Sequence, residues 1–344
     1  MSEPGVLVVG GAEAERLLAG QEREVMERVR RAYLAHGAGK SSLPHSSFLR
    51  FPGDEVNRII ALPAYLGDGF EVAGIKWIAS FPGNLAQGLR RASAVLILND
   101  AATGRPEAIL EGSLVSAART AASAALAASV LAAGEPTSAG LIGTGVINRE
   151  IARYLRVALP GIGRFVLFDL DAERAARFAR GLAQAAGEVE VEVAPSGQAV
   201  LERCPLVSFA TTAGRPHVAD LSRCPPGATL LHVSLRDLAP EVILAADNVV
   251  DDPDHVCRAE TSVHLAEQRV GHRGFLRATL AEILAGSKPA RRGGEEVVVF
   301  SPFGLGVLDL AVGKLVLEQA RAKGVGTVLP SFLPAEASAE ELPR

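Results

Sequence analysis

The stretch that most constrains this chain is 139–148, Ala-Gly-Leu-Ile-Gly-Thr-Gly-Val-Ile-Asn, a short apolar run that breaks at Gly143 and Gly145 and passes into a helical pattern. A strand feeding such a turn places Gly143 at the tight bend. Gly145 then lets the backbone approach a pyrophosphate at a helix N-terminus. Downstream, Arg164-Phe165-Val166-Leu167-Phe168-Asp169 reads as a second strand ending in an acid, at the spacing where a ribose-binding carboxylate belongs. Alone, the two glycines would also suit an ordinary strand–helix loop; strand, turn, helix, strand and terminal Asp in this order point to a dinucleotide site. Asp169 can bond both ribose hydroxyls and repels a 2′-phosphate, which favours NAD over NADP. The third glycine of the fingerprint is replaced by Asn148, so helix and strand should sit slightly farther apart. A rival start, Val6-Leu7-Val8-Val9-Gly10-Gly11, lacks the second spaced glycine and reads as structural.

A chain of 344 residues is long for one core, so two domains are expected. A net charge of −4 leaves no basic footprint and argues against nucleic acid as a partner. No signal peptide or membrane span is read, and the cysteines Cys204, Cys224 and Cys257, without C-x-x-C spacing, suit reduced thiols in a cytoplasm.

From about Glu13 to Ala35 the apolar residues follow one helical period. Short β-type runs follow, 46–51, 58–65, 72–80, 94–99 and 108–111, separated by turn signals and expected to form one sheet. An alanine-rich helix from Ser113 to about Ala133 stops at Gly134 and Pro136. Strands and helices then alternate, with strands at 139–142, 164–169, 189–193, 206–210, 229–234 and 248–251, and a late one at 297–300. This implies an α/β fold with a doubly wound parallel sheet. A last helix from Gly304-Leu305-Gly306 to about Lys323 should return to the first domain. The expected division is a substrate-binding domain over 1–133 completed by 304–330, a Rossmann domain over 134–303, and a mobile tail over 331–344.

Arg119 is the most anomalous charge, set in a helix of small residues that let other backbone pack on every side, so its guanidinium should need an anion. Lys76 sits in a predicted strand apolar on both faces. Buried ion pairing for Arg119 and an edge-strand position for Lys76 are the plain alternatives. Arg50 and Arg58 lie on neighbouring predicted strands and, with His45 and Ser46, concentrate positive and polar groups in the first domain. Asp237 follows a predicted Rossmann strand at the carboxyl edge where ligands of open α/β sheets bind, and reads either as a base or as a helix cap. The cofactor candidates are Gly143, Thr144, Gly145, Val146, Ile147 and Asp169, with Thr211, Thr212, Ser234 and Ser301 at other strand ends. The histidines show no metal-ligand spacing, so no metal is expected.

Together these residues resemble the ornithine cyclodeaminase/μ-crystallin family over nearly the whole chain. The carriers are Gly74-Ile75-Lys76-Trp77, Ala118-Arg119-Thr120-Ala121-Ala122, Ile142-Gly143-Thr144-Gly145, Leu167-Phe168-Asp169-Leu170-Asp171 and Asp237. The resemblance implies an NAD(H)-binding Rossmann domain with a discontinuous α+β substrate-binding domain whose sheet makes a homodimer. It also implies Lys76, Arg119 and Arg50 on the substrate α-carboxylate and Asp237 as catalytic acid/base.

Two departures bear on the substrate. Cyclodeaminases carry a glutamate near the strand Ile59-Ile60-Ala61-Leu62-Pro63, and Pro-Gly-Lys after the catalytic Asp, where this chain has Leu238-Ala239-Pro240. The stretches 43–50, 77–84 and 301–309 instead resemble the branch that makes 2,3-diaminopropionate for siderophores and peptide antibiotics, by NAD-dependent oxidation of N-(2-amino-2-carboxyethyl)-L-glutamate. That branch implies a multicarboxylate amino-acid substrate, with Lys76 joining Asp237 in catalysis and His45, Ser46 and Arg58 as candidates for the further carboxylates. It also implies a PLP-dependent, cysteine-synthase-like pathway partner. A cyclodeaminase-type lyase and a non-catalytic NAD(P)H-binding protein are the alternatives.

Overall fold

The computed structural model describes residues 5–187 and 189–334. The strands are β1 (Val6–Val9), β2 (Ser41–Ser42), β3 (Ser47–Phe51), β4 (Asp54–Leu66), β5 (Val72–Ser80), β6 (Ala92–Asp100), β7 (Pro106–Glu111), β8 (Ser138–Ile142), β9 (Arg164–Phe168), β10 (Glu190–Val193), β11 (Leu206–Phe209), β12 (Thr229–His232), β13 (Asp247–Val250), β14 (Leu276–Thr279), β15 (Val298–Ser301) and β16 (Thr327–Leu329). The helices are α1 (Gly11–Leu18), α2 (Glu22–Gly37), α3 (Gly112–Leu131), α4 (Val146–Ala158), α5 (Ala172–Ala186), α6 (Gly197–Arg203), α7 (Pro240–Ala245), α8 (Pro253–Val256), α9 (Ser262–Val270), α10 (Leu280–Leu284) and α11 (Gly306–Lys323). The chain divides into two compact units: the described parts of 1–20, 41–115 and 309–344, and residues 21–40 with 116–308.

The first unit holds an eight-stranded sheet in the order β16-β1-β7-β6-β5-β4-β2, with β3 added on β4. The runs read from alternation all lie in it, and β1, read as structural, joins it in parallel to β7. One face is closed by α11. A Cβ added to Gly313 would meet Leu96 at 2.5 Å and Leu98 at 3.4 Å, so the helix lies too close to the strands for a side chain there. The other face stays open, with Leu49 at 45%, Trp77 at 41% and Val95 at 42% exposure.

The second unit holds an eight-stranded parallel sheet in the order β10-β9-β8-β11-β12-β15-β13-β14. Strand order reverses between β8 and β11, where an open α/β sheet leaves its crevice. The short, partly polar β14 carried no periodic signal in the sequence. Helix α3, by composition long and apolar enough to cross a membrane, is a mostly buried core helix.

The single helix expected over 13–35 is two. Gly20 adopts a left-handed φ of +71° that ends α1, and α2 restarts after Gln21. Residues 21–40, 116–133 and 304–308, expected with the first domain, belong to the second unit. There α2 makes an ion pair from Glu22 to Arg153 (3.3 Å), a hydrogen bond between His36 and Asp252 (3.0 Å) and another between Tyr33 and Ser123 (2.7 Å). Part of the expected mobile tail, 335–344, lies outside the described residues.

Candidate active site

In the second unit, β8 ends at Ile142 and the chain turns through Gly143 at φ +89°. A Cβ there would strike the Ala210 carbonyl oxygen at 2.5 Å, so the turn needs glycine for both conformation and space. Gly145 caps α4 with no side-chain hydrogen bond, and a Cβ added to it would meet nothing within 4 Å. The first-turn amides of α4 thus begin at an open position, which suits a phosphate. Val146 is exposed and Ile147 half-buried beside them. Asn148 pins the turn by hydrogen bonds. Its Nδ2 donates to the carbonyls of Ile142 (3.0 Å) and Gly143 (2.6 Å), while Oδ1 accepts from Ser208 (2.7 Å).

Asp169 follows β9. Its Oδ2 accepts from the Thr144 amide (2.8 Å) and hydroxyl (2.7 Å), and its Oδ1 from the Asp171 amide (3.0 Å). Burial works to raise its pKa, but the hydrogen bonds from Asp171 and Thr144 outweigh it and hold the carboxyl below its usual range. The glycine turn and the strand-end acid, legible separately in the sequence, are therefore one hydrogen-bonded unit.

Asp237 is fully buried at the carboxyl end of the same sheet, beyond β12. Its oxygens accept from the hydroxyls of Thr211 (2.5 Å) and Ser234 (2.5 Å), and its amide donates to Nε2 of His232 (3.1 Å). His217 approaches to 3.9 Å. Burial pushes the Asp237 pKa up, but His232, Ser234 and Thr211 together bring it below the usual carboxylate value. Three candidates, Asp237, Thr211 and Ser234, thus converge. Ser301 is buried behind them with its hydroxyl 3.1 Å from His232 Nδ1, and Thr212 is exposed on the loop after β11. The Asp237 loop is locked: Leu235 takes a left-handed φ of +75°, and Arg236 donates to the carbonyls of Ala259 (2.5 Å) and Glu260 (3.0 Å).

Arg119, 8% exposed, has its Nη2 3.2 Å from Ser116 Oγ. Its guanidinium lies against Gly304, where a Cβ would sit 2.7 Å from Nη1. Asp251 holds that turn by accepting from the amides of Phe303 (2.9 Å) and Gly304 (2.7 Å), and burial pushes its pKa up to about 6.

In the first unit Lys76 lies on β5, an interior strand, and is 2% exposed. Its Nζ is 2.7 Å from Oδ2 of Asp309 on α11, itself fully buried. The pairing partner of Lys76 on β4 is Leu62. Two and four residues along that face stand Ile60 and Arg58, and Arg50 of β3 pairs directly with Arg58. The two arginines expected on neighbouring strands are cross-strand partners on the Lys76 face. His45, exposed, and Ser46, half-buried, precede β3. Asp309 and His232 were not singled out in the sequence. The signal for Asp309 was a lone acid inside an apolar helix, the pattern that exposed Arg119.

The profile of the ornithine cyclodeaminase/mu-crystallin family matches residues 8–324. The chain belongs to that family. Among its relatives, the N-((2S)-2-amino-2-carboxyethyl)-L-glutamate dehydrogenase of Staphylococcus aureus is 28% identical over 94% of this chain and 98% of its own length. The alanine dehydrogenase of Archaeoglobus fulgidus is 29% identical over 95% and 98%. The solved structure of Thermococcus litoralis Delta(1)-pyrroline-2-carboxylate reductase in complex with NADH and L-proline, 29% identical, superposes with a TM-score of 0.88 over 94% of this chain and 100% of that one.

Proposed function

We propose that this family member is an NAD-dependent dehydrogenase that oxidises and hydrolyses N-(2-amino-2-carboxyethyl)-L-glutamate to L-2,3-diaminopropionate and 2-oxoglutarate. The observation that carries the substrate is the face around Lys76. A hydrophobic Leu62 stands across from the lysine, and the residues farther along are cations, Arg58 and Arg50. Such a face suits a substrate with three carboxylates better than it suits the side-chain amine of ornithine.

The residues present fit the cofactor. Gly143 and Gly145 leave room over the start of α4, and Asp169, kept ionised and braced by Thr144, supports the reading of a group that takes a ribose diol and repels a 2′-phosphate. NAD, when bound, supplies the acceptor for the hydride lost from the glutamyl Cα. Lys76 and Arg119 supply charge for substrate carboxylate. Asp237, kept ionised by the donors around it, stabilises the positive iminium carbon–nitrogen unit and takes a proton from the water that adds to it. Collapse of the carbinolamine breaks the C–N bond, and the proton returns to the departing amine. Thr211 and Ser234 hold the carboxylate by its two oxygens and fix its direction. The open sheet face around Trp77 and Val95 supports a homodimer.

The test is stoichiometric. Purified protein with NAD and this substrate should form NADH, 2-oxoglutarate and diaminopropionate in equal amounts, and ornithine should give no proline. Proline and ammonia from ornithine without net NADH would replace this reading with the cyclodeaminase lyase.

A further inference from the structure

Arg91 begins the segment leading into β6 and was not singled out in the sequence, where it follows Arg90 in a loop-like run. Its side chain is half-buried, enough that desolvation pulls its pKa below the ordinary arginine value. A guanidinium withdrawn from water needs an anion. Yet its one side-chain partner among the described residues is the neutral hydroxyl of Ser80, at 3.0 Å from Nη1. Ser80 is itself buried, 7% exposed, and lies on the Lys76 face of β5, four residues along the strand. At about 3.4 Å per residue that is roughly 14 Å from the Lys76 position. Directly across from Ser80 stands Arg58, and across from Arg58 stands Arg50. Arg50 rests over the Phe48 ring (6.0 Å) and lines a cavity of about 630 Å³ with Phe51, Gly53 and Asp54. Asp54 does not serve that arginine: its oxygens are taken by the amides of Val56 and Asn57 and the Asn57 side chain. The Phe51 ring meets Phe81 edge-on at 5.7 Å, and the Phe81 amide donates to the Arg91 carbonyl (2.8 Å). The three arginines therefore gather at one corner of the sheet, with Ser80 fixing the direction of one of them.

We propose that Arg91, braced by Ser80, is a specificity-determining anchor for a substrate carboxylate remote from the reacting carbon, with Arg50 beside it. This rests on the multicarboxylate reading above and deepens it. Lys76 serves the end of the substrate where chemistry occurs, and Arg91 measures off a second carboxylate along the same face. Alanine and proline, with one carboxylate each, leave the distal anchor unused.

The experiment compares wild type with R91M, R91K and S80A. Binding to the NADH-loaded protein, a complex that cannot turn over, is measured by calorimetry for N-(2-amino-2-carboxyethyl)-L-glutamate, citrate and alanine. R91M should weaken both multicarboxylate ligands at least 30-fold and leave alanine and NADH affinity within 3-fold; R91K should recover part of the loss, and S80A should fall between. In turnover the same loss should appear in KM with kcat within a few-fold. A merely structural arginine would lower Tm without changing the ratio of citrate to alanine affinity. Unchanged citrate and substrate affinity in a folded R91M protein overturns the proposal. If wild type fails to bind or oxidise the glutamate derivative but binds citrate in an Arg91-dependent way, the anchor stands and the substrate assignment falls.

Discussion

Breaking the Lys76–Asp309 pair one side at a time, and then both sides together, separates what the pair does for stability from what Lys76 does for substrate. The charges are 2.7 Å apart with side-chain exposures of 3% and 0%. Replacing Asp309 by Leu leaves an ammonium buried beside an apolar group, and replacing Lys76 by Met leaves a carboxylate there. Each should cost about 3–5 kcal/mol, because the charge that remains stays buried and loses the opposite charge 2.7 Å away. At roughly 2–4 °C per kcal/mol for a unit of this size, each single variant should lose on the order of 10 °C in Tm. The double variant K76M/D309L buries no charge at this place and should cost far less than the sum, giving a coupling energy of about 2 kcal/mol or more in a double-mutant cycle. Urea unfolding of the four proteins measures it. D309N should be milder than D309L, because its amide oxygen still accepts from Lys76. The double variant, stable or not, should be inactive. Additive single-variant costs would refute the view that the pair is a mutual necessity of burial.

Two further outcomes follow from the second unit. Asp169→Ser should narrow the preference for NAD over NADP measured by Kd; wild-type protein that binds both equally would remove Asp169 from ribose recognition. Arg119→Ala should raise KM or abolish substrate binding, whereas Asp237→Asn should cut kcat with NADH affinity intact. Near-normal turnover in Asp237→Asn would take that carboxylate out of the chemistry.

What was legible in the sequence was legible through period and punctuation. Strands β3 to β7 alternate between two faces, and the glycine turn with Asp169 carries its own spacing. Arg119 and Lys76 stood out as charges in apolar surroundings, and both prove buried. The break between α1 and α2 was hidden because the apolar residues keep nearly one phase across Gly20. Asp309 stands in the first turn of α11, where an acid has an ordinary explanation in the helix dipole. His232 and Arg91 matter through partners that sequence distance conceals, Ser301 and Ser80. Pairings between side chains are set by register and packing, which composition does not encode.

The Lys76–Asp309 pair spans 233 residues, which makes it a matter of timing as well as charge. At about 5–20 residues per second on the ribosome, Asp309 is made some 12–47 s after Lys76. For that interval the strand that carries the lysine exists without the helix that supplies this carboxylate and closes one face of its sheet. The first unit is therefore finished late, after all of the second has been synthesised. A chain cut short before residue 309 would retain the whole nucleotide-type sheet and lack the counter-charge of the lysine.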